Sequence, residues 1–191
     1  MTPSTLAQRL KDDTQPEHEA LEKAMMPMLK ASRNREAYCQ LLRAMHSYLQ
    51  PVETAVFKQL GTQELPDEDA RRTIALMAAD LAQLEATPEP ATSAIPVIDS
   101  PAAAFGALYV LEGSTLGGQI VGAILRKNLP AELQATRYFD SYGDQTRAMW
   151  AAFIGHLNAF GATHPELADT VVRTARDTFA LFQQHLQAAQ A

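Results

Sequence analysis

Apolar residues recur along most of this chain at intervals of three and four, and the period-two alternation of β-branched residues that marks a strand is almost absent. With Ala, Leu, Gln and Glu abundant, the pattern predicts an all-α protein. Ser4 or Thr5 can cap a first helix reaching about Met26. Asn34 can cap a second, which carries Leu41, Leu42, Met45 and Leu49 toward Phe57 before Gly61 breaks it. Pro66, with Asp67 and Glu68 behind it, opens a third helix whose Ile74, Met77, Leu81 and Leu84 share a face and which fades at Thr87-Pro88. The stretch TPEPATSAIPVIDSP, Thr87 to Pro101, holds four prolines and is a connecting loop. A fourth helix runs from about Ala102 to Lys127 and is ended by Pro130; Tyr138 to Gly143 reads as a turn; two more helices lie around Thr146 to Phe160 and Pro165 to Gln187.

A chain of 191 residues, 47% of them hydrophobic, can bury one core, so a single domain over residues 1–191 is expected. The opening MTPSTLAQRL is not a cleavable leader, and no run of about 18 uncharged apolar residues appears, which predicts a cytoplasmic protein with no membrane partner. A net charge of −6, with no basic cluster beyond Arg71-Arg72 and Arg126-Lys127, argues against nucleic acid as a partner, because binding phosphates needs a basic patch. The lone Cys39 excludes an internal disulfide and any multi-cysteine metal site.

In the first helix Leu6, Leu10, Thr14, His18, Leu21 and Met25 fall on one apolar stripe, which predicts that His18 points inward. An inward histidine is more often a hydrogen-bonded core residue than a ligand, and the stripe alone does not choose. Pro16 removes a backbone donor and bends the helix just before the histidine. Lys11 lies about two turns upstream on nearly the same side, where a flexible cation can reach an anionic ligand edge or simply sit in solvent.

The segment FGALYVLEGSTLGGQIVGAIL, Phe105 to Leu125, carries glycines at 106, 113, 117, 118 and 122. Each costs roughly 0.5–1 kcal/mol against alanine inside a helix, so something must require the missing side chains. Gly106, Gly113 and Gly117 share a face from which a flat object or a second helix could meet bare backbone. A phosphate loop is excluded, because GSTLGGQ lacks the Walker lysine and the segment is neither G-x-G-x-x-G nor preceded by a strand. Helix packing through Gly113-x-x-x-Gly117 and Gly118-x-x-x-Gly122 remains the competitor to ligand binding, although Glu112 and Gln119 are unlike the membrane setting where such spacings are best attested. A kink at the glycine doublet would open a concave wall with the Ser114 or Thr115 hydroxyl near its centre.

Taken together, LKDDTQPEHEALE (Leu10 to Glu22) resembles the proximal-helix signature of haem oxygenases, and YVLEGSTLGGQ (Tyr109 to Gln119) resembles their kinked distal helix. The two come in the family's order over a chain of the family's length, closest to the bacterial branch associated with bacteriophytochromes. The resemblance implies a helical bundle with b-type haem between proximal and kinked distal helices. It makes His18 the axial ligand of the haem iron. It places Gly113, Ser114, Gly117 and Gly118 on the distal side, with Lys11 and Tyr109 on the propionates. Arg176, in TARDTF of the last helix, stands where animal members carry a basic propionate partner. Animal members have an aspartate after the first distal glycine, where this sequence has Ser114. His46 is a further candidate for a distal water network, or a structural residue.

The activity so implied is cleavage of haem to biliverdin, ferrous iron and carbon monoxide with O2. The porphyrin and O2 supply the reactivity and the protein supplies orientation. No nucleotide fingerprint is present, so electrons are expected from a partner such as a ferredoxin or a flavin reductase, and a bacteriophytochrome could receive the biliverdin. Two rivals remain: a haem carrier or sensor that keeps the pocket without turnover, and a thiaminase-like helical enzyme that needs no haem.

Overall fold

The N-terminal stripe folds as two helices rather than one. In a computed structural model, which describes residues 5–71, 73–91 and 93–190, α1 (Leu6–Asp13) stops at Thr14 and α2 (Gln15–Ala31) begins directly behind it. Pro16 sits in the first turn of α2, where a missing N–H costs nothing, so the proline starts a helix instead of bending one. Thr14 closes α1, its N–H and its hydroxyl both donating to the Leu10 carbonyl, at 3.0 and 2.8 Å. Thr5 caps α1 by accepting from the Gln8 N–H. The alternative cap, Ser4, lies outside the described residues.

Asn34 caps α3 (Arg35–Val56) through the Ala37 N–H, as its sequence position predicts. The third expected helix does not begin at Pro66. Residues 68–71 form a 3-10 turn, and α4 spans Ile74–Gln83. The turn draws the Arg71 side chain wholly into the core, and Glu53 of α3 supplies the missing cap of α4, accepting from the Thr73 and Ile74 N–H groups at 2.9 and 3.1 Å. The proline-rich loop is a loop, followed by α5 (Pro101–Asn128), which Ser100 caps through the Ala103 N–H and which stays helical through all five glycines.

The expected turn at Tyr138–Gly143 begins with one helical turn, α6 (Arg137–Asp140), before Ser141 (φ 43°) and Gly143 (φ 55°) reverse the chain. Asp80 of α4, fully buried, makes α6 possible by accepting from the Arg137 and Tyr138 N–H groups at 3.1 and 2.9 Å. Asp80→Ala strands both donors and is expected to cost about 1–3 kcal/mol. A urea titration of the apo protein measures this, and an unchanged midpoint would remove Asp80 as the support of α6. Helices α7 (Thr146–Thr163) and α8 (Ala168–Ala188) complete the bundle.

Helix α5 is the axis of the core. Its most extensive contact is with α8, and α3, α6 and α7 also pack on it, while α2 lies mainly along α8. By length and composition α5 could cross a membrane. In the bundle its first half, from Ala102 through Leu111, is almost wholly buried against protein.

Candidate active site

The five glycines of α5 divide by what stands opposite each. A Cβ at Gly106 would fall 2.2 Å from the Val171 carbonyl oxygen of α8, and one at Gly118 would fall 2.9 Å from the Phe139 carbonyl oxygen of α6. At Gly122 it would crowd the Phe139 Cβ at 3.3 Å. These three glycines exist so that helices can approach. A Cβ at Gly113 would meet only the Trp150 ring, at 3.7 Å, and one at Gly117 nothing within 4 Å. Helix α5 is thus packed at Gly106, Gly118 and Gly122 and open at Gly117. Gly118, expected on the open side, is instead buried against α6, and Gly106, on the same face as Gly113 and Gly117, is covered by α8.

His18 is not enclosed, contrary to the reading of its stripe. Its side chain is 47% exposed, with Nε2 3.4 Å from a Glu22 carboxylate oxygen and its ring edge-on to Phe179 of α8 at 5.5 Å. Within α2, His18 lies about 60° round the helix from the buried Leu21 and on the same side as the buried Leu29, so its exposure reflects what packs at that level and not its place on the stripe. That side of α2 faces the bundle. The Tyr109 phenol of α5 reaches the Thr14 side chain, so the proximal and α5 segments touch there. His18 lies one turn beyond Thr14, and Gly113 one turn beyond Tyr109.

The other predicted residues are less uniform. Lys11 is exposed on α1, and Tyr109 is half-buried beside Trp150, with its phenol pushed up by burial. Arg176 is not a free cation: its Nε donates to Glu17 at 2.7 Å, joining α8 to α2 one residue before His18, and the guanidinium is half exposed. The Ser114 hydroxyl donates to the Leu111 carbonyl at 2.6 Å, so its proton is committed to its own helix. It also neighbours the Tyr138 phenol, which burial pushes up to about 12. The His46 imidazole is lowered by burial and so held neutral, and its Nδ1 has no hydrogen-bond partner among the described residues. A separate hollow lined by Arg43, Ser47, Glu89, Ser93 and His185 contains none of the predicted residues. His185 is fully committed there, with Nε2 2.8 Å from the Ala44 carbonyl and Nδ1 on the Ser93 hydroxyl.

The family model for haem oxygenases matches residues 4–188. The chain belongs to the haem oxygenase family. It is thus an all-helical enzyme whose substrate is haem. A haem oxygenase of Xanthomonas campestris pv. campestris (strain 8004) is 32% identical over 154 residues, covering 80% of this chain and 90% of that one. A solved NO- and CO-bound haem oxygenase from Neisseria meningitidis shares the fold, with a TM-score of 0.82 at 24% identity over 98% of this chain and 92% of that one. Haem suits the residues present: Gly117 leaves a side-chain-free surface for a flat ring, and His18 offers a nitrogen ligand. Among the described residues no group of three or more His, Cys, Asp or Glu side chains could hold a metal, so an iron here would bring its remaining ligands in its porphyrin.

One cluster escaped the sequence analysis. Glu112, 2% exposed, accepts from Arg71 Nη1 at 2.7 Å and from the Tyr142 hydroxyl at 2.8 Å. The signal was available: Glu112 is the one charged residue between Phe105 and Leu125, and a buried charge needs a partner. Burial pushes its carboxyl from 4.5 up to about 7, against the pull of Arg71 and Tyr142. Because the folded state binds this proton more tightly than the unfolded chain, the associated stability is complete below about pH 4.5 and is lost as pH rises through about 7. The span is on the order of 3 kcal/mol. Asp67 has the opposite sign: the Arg71 hydrogen bonds lower its carboxyl, and its contribution is lost only as pH falls below the ordinary carboxylate range. Urea midpoints of the apo protein should therefore fall between about pH 5 and about pH 8, with a shallower slope in Glu112→Gln. Equal slopes in the two proteins would assign the dependence to other groups.

Proposed function

We propose that this chain opens haem to biliverdin, ferrous iron and carbon monoxide with O2 and external electrons, holding the substrate on His18 and presenting its other face to Gly113 and Gly117. The observations that carry the reading are the open stretch of α5 at Gly117 and the accessible imidazole of His18. His18 binds as the neutral axial base. Tyr109 and Lys11 orient the propionates, and Arg176 joins them through the guanidinium donors that Glu17 does not use. Bare backbone at Gly117 lets the porphyrin approach α5, and Trp150 narrows the space at Gly113. O2 supplies the oxidising power when bound to the haem, and the protein supplies orientation.

The electron donor in this reading is a ferredoxin or a flavin reductase, and a bacteriophytochrome is a fitting acceptor for the bilin. The free, buried Cys39 thiol suits a cytoplasmic location. One observation favours a second reading, a haem carrier or sensor. Ser114 spends its proton on Leu111, so the position held by an aspartate in animal members offers no free donor. Carbon monoxide release separates the two. Haem-loaded protein given ascorbate, O2 and catalase is expected to release CO equal to the haem consumed, and haem that stays bound with no CO in the headspace would favour the carrier.

A further inference from the structure

The ionic cluster behind α5 reaches both sides of the wall that the site presents. Arg71, with its side chain fully buried, spreads its donors over three elements. Its Nε and Nη2 hold Asp67 bidentately at 2.7 and 2.6 Å, its Nη1 holds Glu112 of α5 at 2.7 Å, and Nη2 also reaches the Met149 carbonyl of α7 at 3.1 Å. The guanidinium lies 5.7 Å from the Phe153 ring centre, and His156 stands 4.0 Å from Asp67. Tyr142 closes the cluster on the second Glu112 oxygen at 2.8 Å.

The sequence neighbours of two of these partners are what matter. Glu112 precedes Gly113, Met149 precedes Trp150, and the open part of Gly113 is bordered by the Trp150 ring. One guanidinium therefore fixes the residue before each half of the same surface. Gly113 and Gly117 have no side chains with which to set the register of α5 there, so it must be set from behind. A buried ion pair is a poor source of net stability compared with apolar packing, but a planar fork with several fixed acceptors defines geometry well.

We propose that Arg71 and Glu112 are positioning residues that lock Gly113 and Trp150 into one wall, and that this wall sets how the haem sits and hence which meso bridge is opened. The inference rests on the proposed haem-cleaving function for its second half only. Trp150 is the sole tryptophan of the chain, so its fluorescence reports the wall in the apo protein without any haem. It also distinguishes failure of the inference from failure of the functional reading.

The test compares wild type with Glu112→Gln, Arg71→Lys and Tyr142→Phe. Leu186→Ala, a buried change on the last turn of α8, serves as a stability control. All are measured well below their melting temperatures. Two readouts are taken: the Trp150 emission maximum with its acrylamide quenching in the apo protein, and the ratio of biliverdin isomers after turnover. Arg71→Lys keeps the charge but not the fork. The cluster variants are expected to raise Trp150 quenching several-fold and to increase a minor isomer several-fold, with Tyr142→Phe smallest, while Leu186→Ala changes neither. If Glu112→Gln does not fold, Tyr142→Phe, which removes a single hydrogen bond, decides. Cluster variants that lose thermal stability while quenching and isomer ratio match Leu186→Ala would overturn the proposal. If wild type cleaves no haem, the functional reading fails and the quenching data alone decide the clamp.

Discussion

Gly106→Ala is expected to lower the melting temperature of the apo protein by roughly 5–10 °C, although alanine is the better helix former. The added methyl would stand 2.2 Å from the Val171 carbonyl oxygen and 3.1 Å from the Ala175 nitrogen. Both are backbone atoms of α8, so no side chain can swing away and the two best-packed helices of the bundle must separate. Overpacking of this kind costs about 1–3 kcal/mol or more, against a propensity gain of about 1 kcal/mol or less. The same substitution at Gly117 meets nothing within 4 Å. It should leave stability equal or slightly raised, by up to about 1 kcal/mol, while weakening haem binding because the methyl occupies the wall. Calorimetry on the two apo variants reads the split directly, and equal losses would contradict the division of α5 into packed and open glycines.

His18→Ala is expected to have the largest effect on the substrate and almost none on the fold. The side chain is 47% exposed, its ion contact with Glu22 is a surface pair, and its ring contributes one edge contact to Phe179. Removing it should change apo stability by less than about 1 kcal/mol. The ferric haem complex should lose the spectrum of a histidine-ligated iron, with affinity falling at least tenfold and cleavage becoming undetectable. Added imidazole should restore part of the spectrum by entering the space left by the side chain. A His18→Ala protein with an unchanged haem spectrum would show that His18 is not the axial ligand.

Much of the helical order could be read from the sequence because its signals are local. Asn34 and Thr5 act as caps where their positions in the chain place them, and the proline-rich loop separates α4 from α5. The remaining features depend on atoms distant in sequence. The start at Pro66 becomes a 3-10 turn because Arg71, which looks like half of a surface basic pair, is drawn in by Glu112, forty-one residues away. Spacing places His18 on the apolar stripe, but only the packing around it shows that its ring is half exposed. The letters of α5 show that space is needed. Only the position of Val171, Phe139 and Trp150 shows where that space is filled and where it is open.

An absorption time course of the haem-loaded wild-type protein with ascorbate, O2, catalase and an iron chelator follows haem cleavage itself. The Soret band is expected to decay while a biliverdin band grows and the chelator takes up ferrous iron. A Soret band that persists through reduction and oxygenation would make this a haem-binding protein without turnover, and the absence of any Soret band after haem addition would remove haem from the site.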